Sequence, residues 1–127
     1  MNNAIKLMAL TLTSFMLLGG SVLAYGDSTT ISIGPSADYA KSGTIGSAYS
    51  ADYEAYNSML SSNDLWIEAH AQWVGWPFTL EQEHLMAPGD MVEFTENQDY
   101  NSNFYAVLNP LGAGGTGCYG YAGCALN

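Results

Sequence analysis

Asp64-Leu65-Trp66-Ile67-Glu68-Ala69-His70-Ala71-Gln72-Trp73-Val74 alternates in character with a period of two. Its odd positions, Leu65, Ile67, Ala69, Ala71 and Trp73, are all apolar. Its even positions carry the polar groups: Asp64, Glu68, His70 and Gln72, with Trp66 and Val74 among them. Successive side chains on a strand point to opposite faces, so the segment predicts a strand with one buried face and one wet face. Read as a helix, the same residues would scatter Leu65, Ile67, Ala69 and Ala71 around the cylinder. Gly75-Trp76-Pro77 ends the strand.

Shorter segments on either side read the same way. Thr29 to Gly34 is β-branched and alternating, and Pro35 closes it. Ser36 to Ser42 is small and polar. From Gly43 an odd series of Ile45, Ser47, Tyr49, Ala51, Tyr53 and Ala55 predicts one long strand, or two broken near Ala51. A helix over Ser50 to Leu60 competes with it, because Tyr53, Tyr56 and Leu60 share helical spacing. Phe78 to Met86 reads as a strand with Leu80 inward. In Ala87-Pro88-Gly89-Asp90, Pro presets φ and Gly accepts a positive φ, which predicts a tight turn. Met91 to Thr95 follows, with Val92 and Phe94 on one side and Glu93 on the other. Glu96 to Asn103 reads as a polar loop and Phe104 to Leu108 as a last strand before Asn109-Pro110. These elements predict an all-β fold, a single small antiparallel β-sandwich or small barrel.

The two ends are read differently. Met1 to Ala24 has Lys6 near its start, an apolar run from Leu7 through Leu18, and small residues closing on Val22-Leu23-Ala24. That is the layout of a cleaved secretory signal. Thr11, Thr13, Ser14 and the Gly19-Gly20 pair interrupt a run already too short for a membrane anchor. The expected organisation is therefore a signal peptide over 1–24, a β-sandwich over 25–110, and a Gly-rich, disulfide-closed tail over 111–127 packed on the same domain. In an exported chain Cys118 and Cys124, separated by Tyr-Gly-Tyr-Ala-Gly, predict a structural disulfide stapling that tail. Closing so small a loop would contribute about 2–3 kcal/mol.

Charge excludes several partners. The chain has 12 Asp and Glu against 2 Lys and no Arg, for a net charge of −10 with neutral histidines. Nucleic acids and anionic membranes are bound through Lys and Arg, so neither is an expected partner. No membrane insertion is expected after signal removal. The acids are scattered without a block of like charge and read mainly as a solubilising surface.

The candidate binding residues lie on the wet face of the central strand. An indole at Trp66 flanked by Glu68, His70 and Gln72 would stack on a sugar ring or an aromatic side chain while the polar groups fix its orientation. Trp76 stands at that strand's exit. Tyr119 and Tyr121 would be either a contact surface or a lock on the tail. His70 and His84 are the only histidines, and their spacing specifies no metal site, so no metal or cofactor is expected. The sequence thus predicts a secreted, extracellular, non-enzymatic domain that binds a glycan or a protein through Trp66, Glu68, His70, Gln72 and Trp76. Gly46-Ser47-Ala48-Tyr49-Ser50 resembles the Tyr- and Ser-rich β segments of small secreted bacteriocins of the lactococcin type. That resemblance implies a toxin or effector as the alternative, although the acidic balance and the cysteine pair depart from the family. A small hydrolase using Glu68, His70 or His84 is the second alternative.

Overall fold

Seven strands make up the computed structural model, which describes residues 27–127: β1 (Ser28–Ile33), β2 (Ala40–Lys41), β3 (Ile45–Asn57), β4 (Leu65–Trp73), β5 (Thr79–Met86), β6 (Met91–Pro110) and β7 (Gly120–Leu126). The signal segment over 1–24 lies outside the described residues. All strands belong to one antiparallel sheet of order β1-β7-β3-β6-β4-β5, with β2 added on β6. The segment over 50–60 is strand, not helix, as far as Asn57.

The long strands β3 and β6 give the sheet its shape. The first part of β6 pairs with β3 from Ser50↔Asn97 to Tyr56↔Met91, and its last part pairs with β4 from Trp73↔Ser102 to Leu65↔Pro110. Between these stretches the β3 register shifts twice, at Gly46/Ala48 and Ala48/Ser50. Such bulges bend a strand and increase its twist. The inner faces of the two halves then meet in one core: Leu65, Ile67, Ala69 and Ala71 from β4, Ala51, Tyr53 and Ala55 from β3, Phe104, Ala106 and Leu108 from β6, and Ala122 and Cys124 from β7.

Tyr53 joins the halves. It is fully buried, its ring stacks on Phe94 at 5.1 Å, and its hydroxyl donates to the Tyr105 carbonyl at 3.1 Å with the His70 carbonyl at 3.4 Å. Tyr53 belongs to the β1-β7-β3 half, whereas His70 and Tyr105 are paired across β4 and β6. The small side chains of Ala69, Ala71 and Ala106 on the facing strands leave room for a ring to approach their backbone.

The structure corrects five expectations. Glu96 to Asn103 is not a loop but the middle of the 20-residue β6. Ala40–Lys41, inside the small polar stretch, is a short strand on β6. Leu80 is exposed rather than inward. The C-terminal residues do more than pack on the domain as a tail, since β7 is a strand of the sheet between β1 and β3. Gly120 there has a packing reason: a Cβ would stand 2.6 Å from both Leu65 Cδ2 and the Tyr56 carbonyl oxygen. Finally, Cys118 and Cys124 are free, buried thiols. Most of the stretch between them is extended strand, about 3.3 Å per residue, and it does not loop back to the short Cα separation that a bridge needs. Cys118 Sγ instead lies near the Asn63 and Asp64 carbonyls, while Cys124 sits opposite Thr29 and Tyr53. Burial raises both thiols, Cys124 to about 12.

Candidate functional site

The even face of β4 forms as the alternation requires, with Trp66, Glu68, His70 and Gln72 all partly exposed opposite a buried odd face. It is a bonded surface. Glu68 Oε1 lies 2.8 Å from His70 Nε2, and Glu68 Oε2 accepts from Asn109 Nδ2 at 3.1 Å. The His70 ring stacks on the Tyr105 ring at 4.7 Å, and Lys41 Nζ sits 4.3 Å from the centre of the Tyr105 ring. Gln72 Oε1 accepts from Asn103 Nδ2 at 3.0 Å. Trp66 lies between Leu85 and Asn109 in register and is only partly exposed. Four of the five expected binding residues are thus brought together, but Glu68 and His70 bond each other, and Glu68 and Gln72 also accept from Asn109 and Asn103 on β6.

Trp76 lies elsewhere, in a second aromatic group. It is 63% exposed and meets Trp73 edge to face at 6.3 Å, while Trp73 meets Tyr100 at 4.4 Å. Tyr49, 63% exposed, and Tyr100, 58% exposed, complete the group. Trp73 continues the odd, buried face in sequence, yet it is exposed. The pairing with β5 stops at Ala71↔Thr79, so no β5 residue stands opposite Trp73, and its ring is left 36% exposed among Trp76 and Tyr100. A groove of about 500 Å³ runs between Tyr49, Trp73, Val74, Trp76, Tyr100 and Asn101. A second, of about 200 Å³, lies across the Trp73–Trp76 pair and includes Thr79, Glu81 and Gln98.

Trp73 is held by a chain of hydrogen bonds along the seam between β5 and β6. Its Nε1 donates to Gln98 Oε1 at 2.9 Å, and Gln98 Nε2 donates to Glu96 Oε2 at 2.6 Å. The other oxygen of the buried Glu96 accepts from Gln82 Nε2 at 2.7 Å, and Gln82 Oε1 lies 3.2 Å from His84 Nε2. Hydrogen bonds to a carboxylate, like the two on Glu96, are short and strong, and a side chain fixed in advance loses little freedom when it binds. The alternation misplaced Trp73 and passed over Tyr49 and Tyr100. Only the Gly75-Trp76-Pro77 turn signalled this end of the sheet.

The outer face of the β3–β6 pair carries a different feature. Glu54 is 7% exposed and stands directly opposite Glu93, with Asp52 two residues away on the same face. Its Oε2 has no hydrogen-bond partner. Burial, then Glu93 and Asp52, push its carboxyl up from 4.5 to about 7. Because the folded carboxyl is the weaker acid, its contribution to stability is fully present below about 4.5 and is lost as pH rises through 7. Acidifying from pH 8 to pH 5 should therefore stabilise the protein by roughly 1–2 kcal/mol through Glu54, discounted for solvent around Glu93. Urea unfolding at both pH values checks this, and Glu54→Gln should remove that part of the difference.

Among the described residues no set of three His, Cys, Asp or Glu side chains is placed to hold a metal ion. Among the described residues no Ser hydroxyl bonds either histidine. No helix among the described residues is long and apolar enough to cross a membrane.

No protein-family model matches the chain, and no curated protein matches it. Among solved structures it is similar to PirA, at 12% identity and a TM-score of 0.46, over 80% of this chain and 94% of that one. It is also similar to the Yersinia pseudotuberculosis-derived mitogen YPM, at 10% identity and a TM-score of 0.39, over 80% of this chain and 78% of that one.

Proposed function

We propose that the protein is a secreted, non-enzymatic binding domain that takes a glycan in the groove bounded by Tyr49, Trp73, Trp76 and Tyr100. The observation that carries this reading is the exposure of four aromatic rings around one groove, with the Trp73 indole fixed by Gln98. Large exposed aromatic patches mark interaction sites. Ring faces interleaved with Asn101, Gln98 and Thr79 match the mixture of C–H faces and hydroxyl groups on a sugar. Neither Lys nor Arg lines either groove, and Glu81 lines one of them, so the glycan is neutral rather than sulfated or uronic. The binding anchor moves accordingly from Trp66 to Trp76 and Trp73.

On this reading the doubled-over sheet is a β-sandwich whose halves face each other across Tyr53, with the groove at one end. Secretion rests on the character of residues 1–24. The hydrolase alternative finds less support: Glu68 and His70 are within hydrogen-bond reach, but His70 is packed on Tyr105 and neither residue lines one of the grooves described above. A glycan array probed with the labelled protein tests the proposal. Binding to neutral oligosaccharides is expected, and binding confined to sulfated or uronic glycans would contradict it.

A further inference from the structure

We propose that the outer face of β3 and β6 is a second site, one that takes the guanidinium group of an organic cation between Glu54 and Glu93. Like charges placed directly opposite on neighbouring strands destabilise the pair, and a buried acceptor left unbonded carries a desolvation cost. Both occur here at one residue. Glu54 faces Glu93 in register, it is more than nine-tenths buried, and its Oε2 is unpartnered. On the other side its β7 partner is Gly123, which has no side chain to donate. Asp52 Oδ1 already accepts from Thr95 Oγ1 at 2.6 Å and Asn127 Nδ2 at 3.2 Å, whereas Glu54 Oε2 is buried with no donor at all.

Nothing in the described chain supplies the missing charge. Lys41 is its only Lys or Arg, and that side chain lies over Tyr105 in the other half of the sheet. A groove of about 300 Å³, lined by Asp52, Tyr53, Glu54, Glu93, Phe94 and Thr95, leads to the pair. The absence of any three-ligand metal cluster among the described residues points away from a divalent ion. A guanidinium is planar, always charged and offers five N–H donors in a fork that matches carboxylates. It would neutralise the glutamate pair and give the orphaned oxygen a donor. This site is independent of the aromatic groove.

The test is an NMR titration of the protein at pH 8 and low salt with agmatine, and separately with an acetylated Gly-Arg-Gly peptide. Saturable shifts at the amides of Glu54, Glu93 and Gly123 are expected from the peptide alone or from both probes. The first result assigns the cation to a polypeptide arginine, and the second shows that the alkylguanidinium suffices. Glu54→Gln and Glu93→Gln should each weaken binding about tenfold or more, and the first is expected to fold well because it removes a buried charge. Acidification to pH 5.5 should weaken binding as a proton takes the place of the cation. The other titratable groups on this face are Asp52, Tyr56, Glu93 and Tyr121, and at least one carboxylate is expected to remain charged. No shifts with either probe, shifts unchanged in both variants, or the same shifts from Ca²⁺ at lower concentration would overturn the proposal.

Discussion

Replacing Tyr53 with alanine is expected to destabilise the protein by about 3–5 kcal/mol, the range for deleting a fully buried aromatic side chain. The loss has three parts. The ring leaves a cavity between the two halves of the sheet, Phe94 loses its stacking partner, and the carbonyls of Tyr105 and His70 lose the hydroxyl that approaches them from the opposite half. A domain of this size is stable by only about 5–15 kcal/mol, so the variant should unfold at a markedly lower urea concentration. Tyr53→Phe keeps the ring and should cost only about 1 kcal/mol. Equilibrium urea unfolding of the two variants checks both values. A loss below 1 kcal/mol for Tyr53→Ala would show that the halves do not depend on this contact.

The core was easier to read in the sequence than the site, and the reasons are local. β4 announces itself because a half-buried strand must alternate, and from Leu65 to Gln72 it does so without exception. β6 hides its middle. Glu96 and Gln98 look like loop residues, yet their side chains close the seam by bonding Gln82 and Trp73. Polarity along the chain does not distinguish a strand lining a polar seam from a loop. The C-terminal glycines mislead in the same way: a glycine chosen because neighbours crowd its Cα, as at Gly120, resembles one chosen for a flexible tail.

The site failed to show for a different reason. Whether Trp73 faces a core or the solvent depends on where β5 stops and where β6 bends, and neither is a property of the residues beside it. Tyr49 and Tyr100 come together only through the pairing of β3 with β6, about fifty residues apart in the chain. Trp66, which the pattern placed on a wet face, is partly covered by its strand neighbours. The exposed aromatic surface therefore lies at the end of the sheet, not across its middle.

The groove and the β4 face make opposite demands on two tryptophans, and one comparison separates them. An indole that anchors a ligand in a pocket typically contributes 2 kcal/mol or more, about 30-fold in affinity. The measurement is titration calorimetry with the best-bound neutral oligosaccharide from the array, using the wild-type protein, Trp76→Ala and Trp66→Ala. Trp76 is well exposed, so its removal should leave the unfolding midpoint nearly unchanged. At least a 30-fold loss of affinity is expected for Trp76→Ala and less than a threefold change for Trp66→Ala. Full affinity in Trp76→Ala with binding lost in Trp66→Ala would contradict it and return the site to the face of Glu68, His70 and Gln72.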